Sequence, residues 1–417
     1  MEQVIFGGWW DFLSATDTEY NSLNGGTLWA DLETYYCKLV STDGVIKNLR
    51  AKLSGTPGAG TKYTFTLMLN GNPTALTFDI ADTDTTGGDM INEVVVTGGD
   101  TVSIRCVPTG PPTARYCTWT SVFKGDTAKE SLMLGGSWDA VSKTATEYGQ
   151  VYGAHTVYSA TENNYRQVVP TAGTIKNFYV KLSEDPGVDP DAYRFTVRLN
   201  GATVAQSLIV TITADDTTGN DLAHNLAVVA GDILTLMIEP LNAPLSTVYA
   251  VWGMTFVADI DGESIVLGGS DDDLHAATTE YYVLTSYEGG AWTSIESQRY
   301  QLGQICTLKK LYILLSGAPG AGTSYTFTVR IGGADSNVVA VVAGAATTGN
   351  SAALEDTVAN DDYVNLQVAP SGAPTVRDAY WGLVCYIAWA GKISGVTNPA
   401  EVMGVSAANI AKVKGVA

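Results

Sequence analysis

A unit of about 130 residues occurs three times in this chain, and that repetition limits the architectures open to it. Ile46-Lys47-Asn48 returns as Ile175-Lys176-Asn177 and again as Leu308-Lys309-Lys310. Each is followed by Leu-Ser and a Pro-Gly turn: Leu53-Ser54 with Pro57-Gly58, Leu182-Ser183 with Pro186-Gly187, and Leu315-Ser316 with Pro319-Gly320. The period is too long for a solenoid repeat or a propeller blade and matches the size of a whole domain. The reading is therefore three tandem modules, residues 1–127, 128–260 and 261–391, followed by a short C-terminal tail, 392–417.

Within each module the strongest pattern has period two. Tyr63, Phe65, Leu67 and Leu69 share one face, and Thr64, Thr66 and Met68 the other. The copies read Tyr193, Phe195, Val197, Leu199 and Tyr325, Phe327, Val329, Ile331, with Arg194, Arg198 and Arg330 on the outer face. Such alternation predicts a strand with one buried and one wet side. Asn70-Gly71, Asn200-Gly201 and Gly332-Gly333 follow as hairpin turns. A later strand in each copy carries Pro108, Pro240 or Pro370, which is expected to close it because proline cannot donate to a ladder. A final aromatic strand holds Trp119, Trp252 or Trp381. Turns about every ten residues with no intervening helix predict an all-β fold: three antiparallel β-sandwich domains, with a jelly roll as the expected topology.

Composition supports that class. Only 16% of residues are charged, below the usual quarter, and 44 glycines accompany abundant threonine and tyrosine. A net charge of −20 argues against a phosphate-gripping, nucleic-acid-binding surface. The N-terminal run Met1 to Asp11 has neither a basic segment nor a long apolar one, so no signal peptide and no membrane insertion are expected. Its Gly7-Gly8 is matched by Gly135-Gly136 and Gly268-Gly269. Aligned on Asp100, Asp232 and Asp362, Cys106 stands where the copies have Ile238 and Val368, and Cys385 stands where they have Phe123 and Phe256. Cysteine at those places reads as a small buried apolar residue in a protein made in a reducing cytoplasm.

Chemistry-bearing motifs are missing. His155, His224 and His275 fall at non-equivalent places, and no metal-ligand spacing, nucleophile elbow or phosphate-binding loop is present. The recurring Thr-Glu-Tyr at Glu19-Tyr20, Glu147-Tyr148 and Glu280-Tyr281 is the best carboxylate set for catalysis. Its presence in every copy points instead to a fold feature, such as a glutamate accepting backbone amides. The acidic run Asp82 to Asp89 has the alternating oxygens of a calcium loop. Module two keeps Asp215, Asp216 and Asp221, whereas module three has Ala345 and Ala346, which favours a plain Asp/Thr/Gly turn. Trp9-Trp10, Tyr35-Tyr36, Tyr281-Tyr282, Trp29 and Trp292 are candidate contact aromatics, with packing as the competing role for each. The chain is expected not to be an enzyme, with no catalytic residue, no metal and no cofactor assigned.

The tail breaks the repeat. Ile393, Gly395 and Val396, then Val402, Gly404 and Val405, then Val413, Gly415 and Val416 form an apolar-x-Gly-Val series, with Ile410 in the last spacer. Too short to own a core and too apolar for a solvated linker, it is read as a partner-binding segment that adds strands to another surface, or else folds back on module three.

The run Leu-Ser-x-x-Pro-Gly, Tyr-x-Phe-Thr, Thr-Thr-Gly and Gly-Asp resembles β-sandwich modules of tailed-bacteriophage virion proteins. The closing segment from Ile393 to Val416 is similar to short C-terminal segments of phage structural proteins. The resemblance implies a non-enzymatic virion component, decorating a capsid or forming part of a fibre or tail. It would be made in the host cytoplasm, and its partners would be other virion proteins and further copies of itself as a homo-oligomer. Two alternatives stand beside it: a carbohydrate-binding adhesion protein that recognises a host surface glycan, and a self-polymerising filament subunit. Three fused beads can surround a pseudo-threefold axis or lie in a line.

Overall fold

Period-two alternation sends Tyr63, Phe65 and Leu67 into one fully buried face, and Tyr193, Phe195, Val197 and Tyr325, Phe327, Val329 do the same in the copies. The computed structural model describes residues 1–26, 28–155, 157–285 and 291–388, with four two-residue strands beyond them.

The first repeat contains β1 (Glu2–Phe12), β2 (Glu19–Asn21), the 3-10 turn η1 (Glu33–Tyr35), β3 (Lys38–Leu39), β4 (Gly44–Leu53), β5 (Gly58–Leu69), β6 (Asn72–Asp82), β7 (Thr86–Val96), β8 (Thr101–Thr109) and β9 (Tyr116–Gly125). The second contains β10 (Glu130–Ala140), β11 (Glu147–Gly149), β12 (Gly153–His155), η2 (Glu162–Tyr165), β13 (Gln167–Val168), β14 (Gly173–Leu182), β15 (Ala192–Leu199), β16 (Ile209–Thr213), β17 (Thr218–Val228), β18 (Ile233–Leu241) and β19 (Tyr249–Ala258). The third contains β20 (Glu263–Ser270), β21 (Glu280–Tyr282), η3 (Glu296–Arg299), β22 (Gln301–Leu302), β23 (Cys306–Leu315), β24 (Gly320–Ile331), β25 (Ala334–Gly344), β26 (Thr348–Asn350), β27 (Glu355–Val358), β28 (Tyr363–Ser371) and β29 (Ala379–Tyr386). Two minimal hairpins follow, β30 (Lys392–Ile393) with β31 (Val396–Thr397) and β32 (Glu401–Val402) with β33 (Val405–Ser406).

In the first repeat the sheet β1-β9-β4-β7 faces β2-β8-β5-β6. Leaving out the short β3, the strands run 1-8-3-6 over 2-7-4-5, the order of a jelly roll built from two Greek keys. The second repeat pairs β10-β19-β14-β17 with β11-β18-β15-β16, and the third pairs β20-β29-β23-β26 with β21-β28-β24-β25. Three large apolar clusters fill the spaces between these sheets.

Two expectations need correction. The prolines do not close their strands: Pro108, Pro240 and Pro370 each sit one residue before the end, opposite Tyr63, Tyr193 and Tyr325. They are tolerated because β2 pairs with β8 only as far as Cys106, and the copies stop at Ile238 and Val368, so the sheet has already lost a neighbour there. Nor is the outer face of β5 and its copies wet. Thr66, Thr196 and Thr328 are buried, and Arg198 and Arg330 reach back to Glu162 and Glu296 of the 3-10 turns at 2.8 and 2.9 Å. The connection carrying η1, η2 or η3 roofs that face.

The Lys-Asn motif is a β-bulge. Asn48, Asn177 and Lys310 have φ of 54°, 53° and 53°, and the ladder slips there in all three copies. Asparagine tolerates this left-handed geometry better than most residues. The lysine before it crosses to the glutamate that opens its repeat: Lys47 to Glu2 at 2.6 Å, Lys176 to Glu130 at 2.7 Å, Lys309 to Glu263 at 3.0 Å.

The Gly-Gly pairs have an equally local cause. Gly7, Gly135 and Gly268 lie opposite Trp119, Trp252 and Trp381 on the neighbouring strand. A Cβ on them would stand 2.1, 1.9 and 2.4 Å from the indole nitrogens. Those indoles are fully buried and donate to the Leu23, Val151 and Leu284 carbonyls at 3.1, 2.9 and 2.9 Å.

The three sandwiches close into a ring. β3 and η1 of the first pack on β10 and β19 of the second. β13 and η2 of the second pack on β20 and β29 of the third, and β22 and η3 of the third return to β1 and β9 of the first. The opening strand of each repeat is apolar on both sides because it serves two cores. Ile5 belongs to the first and Val4 and Phe6 to the third; Met133 belongs to the second and Leu132 and Leu134 to the first; Val266 belongs to the third and Ile265 and Leu267 to the second. A head-to-tail interface whose rotation closes makes a ring, here within one chain about a pseudo-threefold axis.

Candidate functional site

The residues picked out for chemistry in the sequence are occupied in holding the fold. Glu19, Glu147 and Glu280 accept the backbone amides of Ser14, Ser142 and His275 at 2.7, 2.8 and 2.9 Å. Partial burial pushes all three carboxyls up, Glu19 to about 7 with Asp11, Asp17 and Asp31 adding repulsion. Asp89 accepts from the Ile91, Asn92 and Thr77 amides, and Asp221 from those of Ala223, His224 and Ile209. Both are therefore anchors of a turn. Among the described residues no three His, Cys, Asp or Glu side chains gather to hold a metal ion.

His224 turns Nδ1 to Asp221 at 2.9 Å, and His275 Nδ1 accepts from the Ala277 and Thr278 amides. The His155, Trp9 and Trp10 side chains lie outside what the structure describes. Trp29 and Trp292 are buried against Trp119 and Trp381, at 5.1 and 5.8 Å between ring centres. Tyr35, half-buried, meets Tyr249 of the second sandwich at 4.5 Å. All five cysteines are buried and unpaired. Cys106, Ile238 and Val368 do occupy one ladder position, opposite Glu19, Glu147 and Glu280.

Of the tail residues, Ile393, Val396, Val402 and Val405 lie in the two minimal hairpins. Gly395, Gly404, Ile410, Val413, Gly415 and Val416 fall outside the described residues. Among the described residues no helix is long and apolar enough to cross a membrane.

What remains distinctive is the set of three seams, built on equivalent positions with different side chains. Between the first and second sandwiches, Cys37, Leu39 and Val251 form a buried apolar cluster with Tyr179 beside it. Lys38 is buried next to them, and burial lowers its ammonium to about 8. Gly253 is obligatory there, since a Cβ would lie 1.9 Å from the Leu39 carbonyl oxygen. Between the second and third, Val168, Leu314 and Tyr380 do the same with Ile233 and Tyr312, and a Cβ on Gly382 would lie 1.9 Å from the Val168 oxygen. Polar clasps flank both: Thr255 to Ser41 at 2.9 Å, and Thr171 to Glu263 at 2.7 Å.

The seam that closes the ring is polar. Where the others place Tyr179 and Tyr312 it has Arg50, which bonds Asp361. Where they place Lys181 and Leu314 it has Lys52, whose Nζ lies 4.0 Å over the Tyr363 ring. Tyr363, at the position of Thr101 and Ile233, stacks on Tyr300 at 4.4 Å and 10°. Gln304 donates to the Asn48 carbonyl at 2.9 Å. A cleft of about 360 Å³ opens here, lined from both sides by Lys52, Tyr116, Gln298, Tyr300 and Tyr363 among others. None of these residues stands out as a motif. The only signal in the sequence is that they depart from the repeat. The chain matches no protein-family model, and comparison with curated proteins finds no similar sequence.

Proposed function

We propose that the chain is a non-enzymatic structural component of a tailed-phage virion, a capsid decoration or a part of a fibre or tail. The observation that carries this reading is ring closure. One chain presents three like sandwiches around one axis, a shape suited to a seat of threefold symmetry. The features that recur serve packing: tryptophan against glycine, lysine to glutamate across the bulge, glutamate on backbone amides. The tail, residues 392–417, is the anchor to other virion proteins in this account. Closure uses the head-to-tail surfaces inside the chain, which weighs against filament growth through them. A second reading, recognition of a host surface glycan, rests on the cleft at the closing seam.

The test is immunogold labelling of particles from a lysate that carries the gene, with full-length protein and with protein lacking residues 392–417. Labelled particles for the full chain and bare particles for the truncated one support the reading. Particles unlabelled by the full chain contradict it, and incorporation of the truncated chain contradicts the anchoring role.

A further inference from the structure

We propose that the cleft at the closing seam is a saccharide-binding site, present once per ring. It deepens the second reading above, on which it rests, and stands independently of the virion reading. The two other seams fill the corresponding space with Cys37, Leu39 and Val251 or with Val168, Leu314 and Tyr380. Between the third and first sandwiches the space stays open, at about 360 Å³. That lies at the low end of small-molecule pockets, about 300–1,000 Å³.

The lining selects the ligand class. Tyr116, Tyr300 and Tyr363 line the cleft. Tyr363 is covered by Tyr300 on one face and by Lys52 on the other, so the outer face of Tyr300, with Tyr116 beside it, is the platform for the C–H face of a pyranose. Around them are groups that match hydroxyls. Gln298 uses its carbonyl oxygen on Thr293 at 3.0 Å, which leaves its amide N–H groups for a ligand. Ser54 and Ser297 add hydroxyls at the exposed rim. No carboxylate lines the cleft, so a cationic ligand would have no counter-charge. An apolar ligand would bury the Gln298 amide N–H groups unpaired, at a cost of about 1–3 kcal/mol. The one cation, Lys52, already donates to the Asp361 carbonyl at 3.3 Å and lies over Tyr363. A neutral sugar satisfies this arrangement best.

The experiment is an array of neutral and acidic mono- to oligosaccharides probed with the full-length protein, followed by calorimetric titration of the strongest hit. Tyr300→Ala removes a stacking ring. Ser297→Trp fills the mouth from an exposed position and leaves the seam contacts in place. Binding to a neutral glycan that weakens by about tenfold or more in both variants bears the proposal out. Three results would overturn it: no glycan bound at millimolar concentration, a hit held within about twofold by both variants, or loss in Tyr300→Ala alone.

Discussion

Arg50 of the first sandwich donates to both carboxylate oxygens of Asp361 in the third, at 2.5 Å each, across 311 positions of sequence. This pair belongs to the only seam not crossed by a direct sandwich-to-sandwich connection. The Arg50 side chain is largely buried, at 17% exposure, and that of Asp361 is more open, at 41%. In a double-mutant cycle of Arg50→Ala and Asp361→Ala followed by urea unfolding, the coupling should be about 0.5–1 kcal/mol. No coupling would mean that the two groups do not meet in solution.

Gly135 and Gly253 separate the two levels of the architecture. Gly135→Ala drives a Cβ into the Trp252 indole inside one sandwich, and Gly253→Ala drives one into the Leu39 carbonyl across a seam. Both should destabilise by about 2–3 kcal/mol, as overpacking does. Hydrogen exchange should show the first loosening the second sandwich and the second loosening the seam.

Glu263 is fully buried and takes Lys310 at 2.8 Å, Lys309 at 3.0 Å and Thr171 of the preceding sandwich at 2.7 Å. Burial pushes its carboxyl up, but these partners outweigh burial and hold it below the ordinary value of 4.5. A depressed folded pKa stabilises above the unfolded pKa, and that contribution is lost as pH falls through the folded one. Stability should therefore drop below about pH 4.5. Glu263→Gln should remove about 3 kcal/mol near neutral pH and flatten the acid limb, measured by thermal unfolding across pH.

Glu19 acts in the opposite sense. Its carboxyl is raised to about 7, so the folded state binds the proton more tightly than the unfolded one. The stability this gives is complete below the unfolded pKa of about 4.5 and declines as pH rises toward 7. Glu19→Gln should reduce that decline, read from urea midpoints at pH 4.5 and 7.5; an unchanged slope would remove Glu19 from the account.

Much of this fold is legible from the sequence, because its signals are local. The alternation of Tyr63, Phe65 and Leu67 sets a strand, and Asn70-Gly71 sets the turn after it. The equivalence of Cys106 with Ile238 and Val368 is visible by counting from a shared aspartate. The bulge at Asn48 was visible as a motif but not as geometry, since an Asn after Lys has no single backbone meaning. The sequence leaves a ring and a line equally open, and the cleft is out of its reach. Closure and cleft depend on Arg50, Lys52, Tyr300 and Tyr363, which meet across sandwiches and differ from their counterparts, whereas periodicity reports only what repeats. The expected wet face of β5 fails for a different reason: alternation separates the two sides of a strand but does not report what covers the outer one, here the connection that carries the 3-10 turn in every copy.

Small-angle X-ray scattering of the purified chain tests the closed ring most directly. A compact chain of this length has a radius of gyration of about 22 Å, and the ring predicts a value near that, with a single-peaked distance distribution. Three sandwiches strung in line would exceed about 30 Å with an extended shoulder, and that result would contradict closure through Arg50 and Asp361.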